Sequence, residues 1–301
     1  MAMKVSSVRG LVLGTPAVEM SRRFYSDVWG LTEVAYTGSR LAYFTCGGAD
    51  HWVLGLEQSE VPQMSRLRLG VDTSGDIDCL AERLVGDGLE IDSLPAPLLG
   101  PGDYYGFTMK DNAGRLVEIS ALETPRSGAR TDPSGTSHIV LNCADVRACV
   151  DFYERHFGFE VSDWYEGDGL IFMRCNSAHH SIALAKSDRD TLNHVAYQMQ
   201  DLESVVRNSE RIKHDAGQNP IWGPGRHGPG GNVFSYFKDP AGFVCEYTAE
   251  LIQIGPDDKW VAKAWTPGPN VSNVWQTGGA PPAAAASMSG AGQFQKNDGG
   301  H

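Results

Sequence analysis

The six cysteines, Cys46, Cys79, Cys143, Cys149, Cys175 and Cys245, include no Cys-x-x-Cys pair. That excludes a zinc ribbon or a thioredoxin-type redox motif. Scattered cysteines read instead as reduced, mostly buried thiols of a cytoplasmic protein. No run of 18 apolar residues occurs, so no membrane-spanning helix is expected. Residues 1–14 carry charge but neither a full apolar segment nor a small-residue cleavage site, and no secretory signal is expected there. Cations are scarce: 25 Lys and Arg stand against 37 Asp and Glu, a net charge of −12. Without clustered cations, nucleic acid and anionic membrane surfaces are poor partners. The glycine- and proline-rich run 223–231 is no phosphate loop, because it lacks the lysine and the following helix that one needs.

What is there is an internal repeat. The chain has 301 residues, of which 41% are hydrophobic, enough for a sizeable core without covalent staples. Phe24-Tyr25 falls on Phe152-Tyr153 at an offset of 128, and Trp29-Gly30 on Phe157-Gly158. Lys110-Asp111-Asn112-Ala113-Gly114 falls on Lys238-Asp239-Pro240-Ala241-Gly242, and Glu118 on Glu246. Cys46 and His51 match Cys175 and His180 at offset 129, so one-residue insertions are expected between. The chain therefore divides into an N-terminal module (1–125), a C-terminal module (135–252) and an arm with a tail (253–301).

Each module has one plan. Alternating strands at 8–13 and 138–143 lead into amphipathic helices at 17–29 and 145–157. Gly30 and Gly158 stand where a helix C-cap favours glycine. Two or three strands follow, then a strand (66–71; 194–199), a helix (77–86; 202–216) and a hairpin ending at Glu118 or Glu246. This is βαβββ twice per module, an α+β chain. In the arm, Trp260, Trp265 and Trp275 are expected to pin it to the body or to a neighbouring subunit. From Thr277 onward the Gly/Ala/Pro/Ser composition predicts disorder.

A duplication is its own control, because positions that differ between copies are not demanded by the fold. His138 aligns with Gly10, His194 with Arg66, His227 with Leu99 and Tyr236 with Thr108, while Glu246 keeps its counterpart Glu118. Two imidazoles and a carboxylate on three strands fit one face of an octahedral ion, leaving open positions for Fe(II) and oxygen chemistry. Glu118 lacks both histidine partners, so no metal is expected there. His179 and His180 would point to opposite faces if they lay on a strand, and the residues alone leave open which faces the cavity. His156 and His214, on helices, are expected to be solvated.

These stretches resemble a known family: 137–140, 174–185, Asn193-His194-Val195-Ala196, Gly225-Arg226-His227, Ser235-Tyr236 and Asp239-Pro240-Ala241-Gly242 leading to Glu246-Tyr247. They are similar to the two-module type I extradiol catechol dioxygenases of the vicinal oxygen chelate superfamily. The resemblance implies tandem paired βαβββ modules, each curling into a half-open barrel. It makes His138, His194 and Glu246 the ligands of Fe(II), with Mn(II) as the alternative. It makes His180 the acid–base histidine, His227 a second histidine beside oxygen and substrate, and Tyr236 the hydrogen-bond partner of a catechol oxygen. Substrate and partner would be a catechol and O2, and the assembly a homo-oligomer. Biphenyl-type members carry Asn-Asp after the His227 position, where this chain has Gly228-Pro229-Gly230-Gly231, so substituent preference does not carry over. The competing readings are a glyoxalase-type isomerase using Zn, Ni or Mn, and a metal-free ligand-sequestering protein of the bleomycin-resistance kind. Gly10 and Arg66 speak against a metal site shared between modules.

Overall fold

The computed structural model describes residues 4–38, 40–129 and 131–277. Of the tail expected to be disordered, all but Thr277 lies outside the described residues. Two mixed sheets of eight and nine strands form, each from two βαβββ units, with one strand of the arm as the ninth of the second sheet, so the α+β class and the paired plan are those read from the sequence. In each unit the first strand lies parallel to the last, and the two units of a sheet meet antiparallel, first strand to first strand. In the C-terminal sheet this sets four strands side by side at the centre. They are Ile182–Lys186, Gly135–Cys143, Thr191–Gln198 and Val244–Ala249, in that order.

The helices 17–29 and 145–157 each change winding halfway. Val18–Arg23 continues as a π-helical stretch, Phe24–Trp29, and Val146–Phe152 continues as Tyr153–Phe157. Both end on a left-handed glycine, Gly30 at φ 92° and Gly158 at φ 73°, which ordinary side chains rarely adopt. His214 on the later helix is exposed, as expected, but His156 is buried, 3.4 Å from the carboxylate of Asp87. The expectation of a solvated His156 fails because the π-wound turn faces the other module.

One apolar core runs through both modules. Reciprocal contacts join them: the Tyr25 hydroxyl donates to Asp239 at 3.2 Å, and the equivalent Tyr153 hydroxyl donates to Asp111 at 3.1 Å. Trp29, fully buried, stacks on Tyr247 at 3.9 Å and meets the edges of Tyr197 and Phe237.

The arm is part of the C-terminal sheet. Lys263–Trp265 pairs in parallel with Glu160–Tyr165. The Trp260 indole donates to Ser162 O and the Trp265 indole to Asp163 Oδ2, both at 2.8 Å, while Arg226 lies over the Trp275 ring. Replacing Trp29 by Ala should cost about 3–5 kcal/mol, since it empties a large buried site whose aromatic walls come from the other module. Urea denaturation checks this; a loss under about 1 kcal/mol would mean the contact between modules is not built on Trp29.

Candidate metal centre and active site

Strand register builds the centre. Ala196 pairs with His138 on one side and with Glu246 on the other, and His194 precedes it by two residues on the same strand face. The small Ala196 side chain, fully buried, leaves space between the three longer ones. Nε2 of His138 and Nε2 of His194 each stand 3.2 Å from Oε2 of Glu246. All three side chains are buried, and their ligand-type atoms lie within 4.8 Å of one another.

Both imidazoles turn Nε2 inward because Nδ1 is engaged behind. His194 Nδ1 donates to Asn193 Oδ1 at 2.7 Å, and Asn193 is held by Asn142. His138 Nδ1 lies 3.3 Å from Ser137 Oγ. This backing is what metal-bound histidines ordinarily have. Asn232, bonded to Thr248 at 2.8 Å, reaches Glu246 Oε1 at 3.5 Å.

The residues fit a divalent ion. His194 Nε2 and Glu246 Oε2 are buried without a hydrogen bond among the described residues, a costly state for polar atoms. With bonds of about 2.1 Å, adjacent ligand atoms on an octahedral ion stand about 3 Å apart, close to the spacing seen. Cys143, Cys149 and Asp190 also cluster, but the Arg115 guanidinium sits among them, 3.1 Å from Cys143 Sγ, and supplies the cation.

A cavity of about 440 Å³ opens above the triad, and His180, His227 and Tyr236 all line it. His180 packs on His138, ring centres 4.4 Å apart. Burial first, and then the surrounding imidazoles, push its pKa well below the ordinary histidine value, so it stands neutral. Tyr236 and His227 form a bonded pair. The Ser272 carbonyl, 2.7 Å from His227 Nδ1, requires a proton on that nitrogen. Nε2 then accepts from the Tyr236 hydroxyl at 3.0 Å. Burial holds His227 neutral, with a pKa near 4. With its one hydrogen committed to Ser272, His227 reaches the cavity through Tyr236 and does not face it as a free donor.

Two alignments of the copies need correction. Ile182 pairs with Ile139 as Leu54 pairs with Leu11, an offset of 128, so His180 corresponds to Trp52 and His51 to His179. The extra N-terminal residue lies in the loop 46–53. Likewise Arg226 pairs with Val233 as Pro97 pairs with Tyr105, which matches His227 to Leu98 rather than Leu99. Nor do His179 and His180 lie on a strand facing opposite ways. Both are buried in the bend before Ile182–Lys186, their Nδ1 atoms 3.1 Å apart.

The N-terminal module answers the same glutamate differently. Glu118 accepts from Arg66 and from Arg68, each at 2.8 Å, and Arg68 stacks over Trp52. Arg66, Arg68 and Trp52 stand where the other copy has His194, Ala196 and His180. Gly10, at the His138 position, cannot take a side chain: a Cβ there would meet Val53 O at 1.9 Å.

Comparison with known proteins fits this plan. The family model of the glyoxalase/bleomycin resistance protein/dioxygenase superfamily matches twice, over residues 8–119 and 135–247. The chain belongs to that superfamily. It is 36% identical over 216 residues to a 3-methylcatechol 2,3-dioxygenase of Pseudomonas putida, spanning 65% of this chain and 74% of that one. It is 28% identical to metapyrocatechase 2 of Cupriavidus necator, over 86% and 85% of the two chains. A crystal structure of a Mn(II)-bound glyoxalase from Novosphingobium aromaticivorans superposes with a TM-score of 0.85 at 38% identity, covering 93% and 94%. Other relatives are named as an iron-dependent extradiol dioxygenase and as a manganese-dependent 2,3-dihydroxybiphenyl 1,2-dioxygenase.

Single substitutions separate metal binding from ion pairing. His138→Ala and His194→Ala should each lose most bound metal, read by elemental analysis. Glu118→Ala should keep the metal yet lose about 3–5 kcal/mol of stability, because it strands buried Arg68. Metal loss in Glu118→Ala would show a second site in the first module.

Proposed function

We propose that the chain is an extradiol ring-cleaving dioxygenase, opening a catechol beside its hydroxyls to a 2-hydroxymuconic-semialdehyde-type product. The observation that carries the reading is that one cavity is lined together by His138 and His194, which face Glu246, by the neutral His180 and by the His227–Tyr236 pair. Both oxygen atoms of O2 enter the product, so no external reductant is needed. The ion, Fe(II) on this reading with Mn(II) as the alternative, supplies Lewis acidity and a template for catechol and O2.

The chain's own groups handle protons and orientation. Tyr236, donating to His227, keeps its oxygen lone pairs for a catechol hydroxyl on one side of the cavity. His180, neutral and beside His138, takes and returns a proton on the other. Phe172 and Trp222 present apolar surface to the ring.

The walls also bear on substrate. Val140, Leu170, Phe172, Ala185, Trp222 and Pro229 line the cavity, and no Lys or Arg is among its described lining residues. A carboxylate on the ring would lose its water without gaining a cation. The reading is therefore an alkyl- or aryl-substituted catechol.

A glyoxalase-type isomerase is the second reading, favoured by the likeness to the Mn(II)-bound glyoxalase structure. Against it stands the confinement of all three ligand-type residues to one module. O2 uptake decides. After anaerobic Fe(II) loading, uptake matched by a coloured ring-opened product supports the dioxygenase, and isomerisation without O2 consumption the other. Alkyl or aryl catechols should exceed carboxylated ones in kcat/KM by at least about tenfold, a floor well below the several kcal/mol of an unpaired buried carboxylate. Equal rates for the two classes would overturn the substrate reading.

His180→Gln should retain metal and change KM little, while kcat falls roughly 10²–10⁴-fold, the scale of a positioned proton-transfer group. Turnover near wild type with metal bound would remove His180 from the chemistry.

A further inference from the structure

His179 is fully buried, yet it touches neither the metal-type ligands nor the open cavity. Its ring lies between two partners: Nε2 is 3.2 Å from Asp163 Oδ2, and Nδ1 is 3.1 Å from Nδ1 of His180. The Trp260 ring closes over it edge-on at 5.4 Å, and its backbone N–H donates to Ile252 O at 2.8 Å.

Groups that can only donate set the direction of these bonds. The Trp265 indole N–H donates to Asp163 Oδ2 at 2.8 Å, and the Lys263 peptide N–H to Oδ1 at 3.0 Å. Both carboxyl oxygens are thus acceptors. Burial would raise the Asp163 pKa, but donation from His179, Trp265 and Lys263 prevails and lowers it. An acceptor at Asp163 sets a proton on His179 Nε2; in the relay that is the ring's one proton, and Nδ1 is bare. A bare Nδ1 on His179 then sets the His180 proton on its own Nδ1. The remaining nitrogen of His180, Nε2, is left as the free lone pair of a ring that lines the cavity.

We propose that Asp163 and His179 are positioning residues, a buried relay clamped by the C-terminal arm that fixes His180 in the tautomer able to accept a proton from the substrate side. The inference rests on His180 being the acid–base group of the proposed reaction. It gives the arm a task in that reaction, since Trp265 and Lys263 aim Asp163, and Trp260 closes over His179.

The test reads tautomers and turnover separately. The full-length chain, labelled with ¹⁵N-histidine and loaded with diamagnetic Zn(II), reports by nitrogen chemical shift which ring nitrogen carries each proton. His179 protonated at Nε2 and His180 at Nδ1 is the expected result. A proton on Nε2 of neutral His180 would overturn the relay, whatever the enzyme turns over.

In the Fe(II)-loaded protein, His179→Leu should lower kcat about 10–100-fold with metal content retained, the usual cost of losing a group that orients a reactive one. KM should stay within about threefold, because substrate does not touch residue 179. His179→Asn, whose amide oxygen can stand near the Nδ1 position, should recover kcat to within about fivefold of wild type. If Leu and Asn lose kcat equally, or if loss follows the melting temperature alone, the role is structural and the proposal fails. Should His179→Leu not fold, the Asn variant and the tautomer reading still decide. A wild-type protein with the expected tautomers but no ring cleavage would defeat the proposed reaction and leave the relay standing.

Discussion

A carboxylate taken out of water costs several kcal/mol unless cations or donors face it. This fold places one at the same strand position in both halves, Glu118 and Glu246, each essentially inaccessible. In the first half two guanidiniums answer it from the neighbouring strand, and that half is complete as an ion-paired core. In the second half the facing atoms are imidazole nitrogens whose rear nitrogens are engaged elsewhere. Two lone pairs and a carboxylate repel unless a cation stands between them. A cation at that point would answer Glu246 as the guanidiniums answer Glu118 in the other copy, and the surrounding residues leave room for one. Ala196 is small where Arg68 is long, and His138 occupies a position where Gly10 has no room for a side chain.

Much of this was legible because duplication preserves register. Glu118 on Glu246, and Phe24-Tyr25 on Phe152-Tyr153, fixed the offset, and ligand-type residues stood out where the copies diverged. The ligand strands were legible for a second reason: alternation holds wherever a strand is regular, as it is from His194 to Ala196. What was lost lay where regularity fails. The loops 46–53 and 175–181 differ by one residue and contain nothing that marks where the gap falls. At a constant offset of 129 His51 therefore falls on His180, although strand pairing equates it with His179. Alternation, applied to the bend holding His179 and His180, predicted opposed side chains where the structure turns both inward. The arm was opaque for a different reason. Trp265 meets Asp163 across 102 residues of chain, and neither lies in a periodic segment that would announce the partnership.

The N-terminal module holds no metal-type triad among its described residues, yet the site depends on it through the back of the Glu246 strand. Glu246 and Tyr247 are neighbours on one strand and point to opposite faces. While Glu246 faces His138 and His194, Tyr247 stacks under Trp29 and donates its hydroxyl to the Trp29 carbonyl. At the turn of the same hairpin, Asp239 gathers the backbone N–H groups of Ala241 and Phe243 and the hydroxyl of Tyr25. That turn joins the strand carrying Tyr236 to the strand carrying Glu246. The π-wound end of the first module's helix, Phe24–Trp29, therefore grips both the turn and the outer face of the hairpin bearing two residues of the site. The reciprocal bond, Tyr153 to Asp111, grips the equivalent hairpin of the first module, where the buried charge is already paired. The same pseudo-symmetric contact thus fixes both hairpins, and the residues on the opposite face make the position an ion pair around Glu118 and a candidate metal face around Glu246.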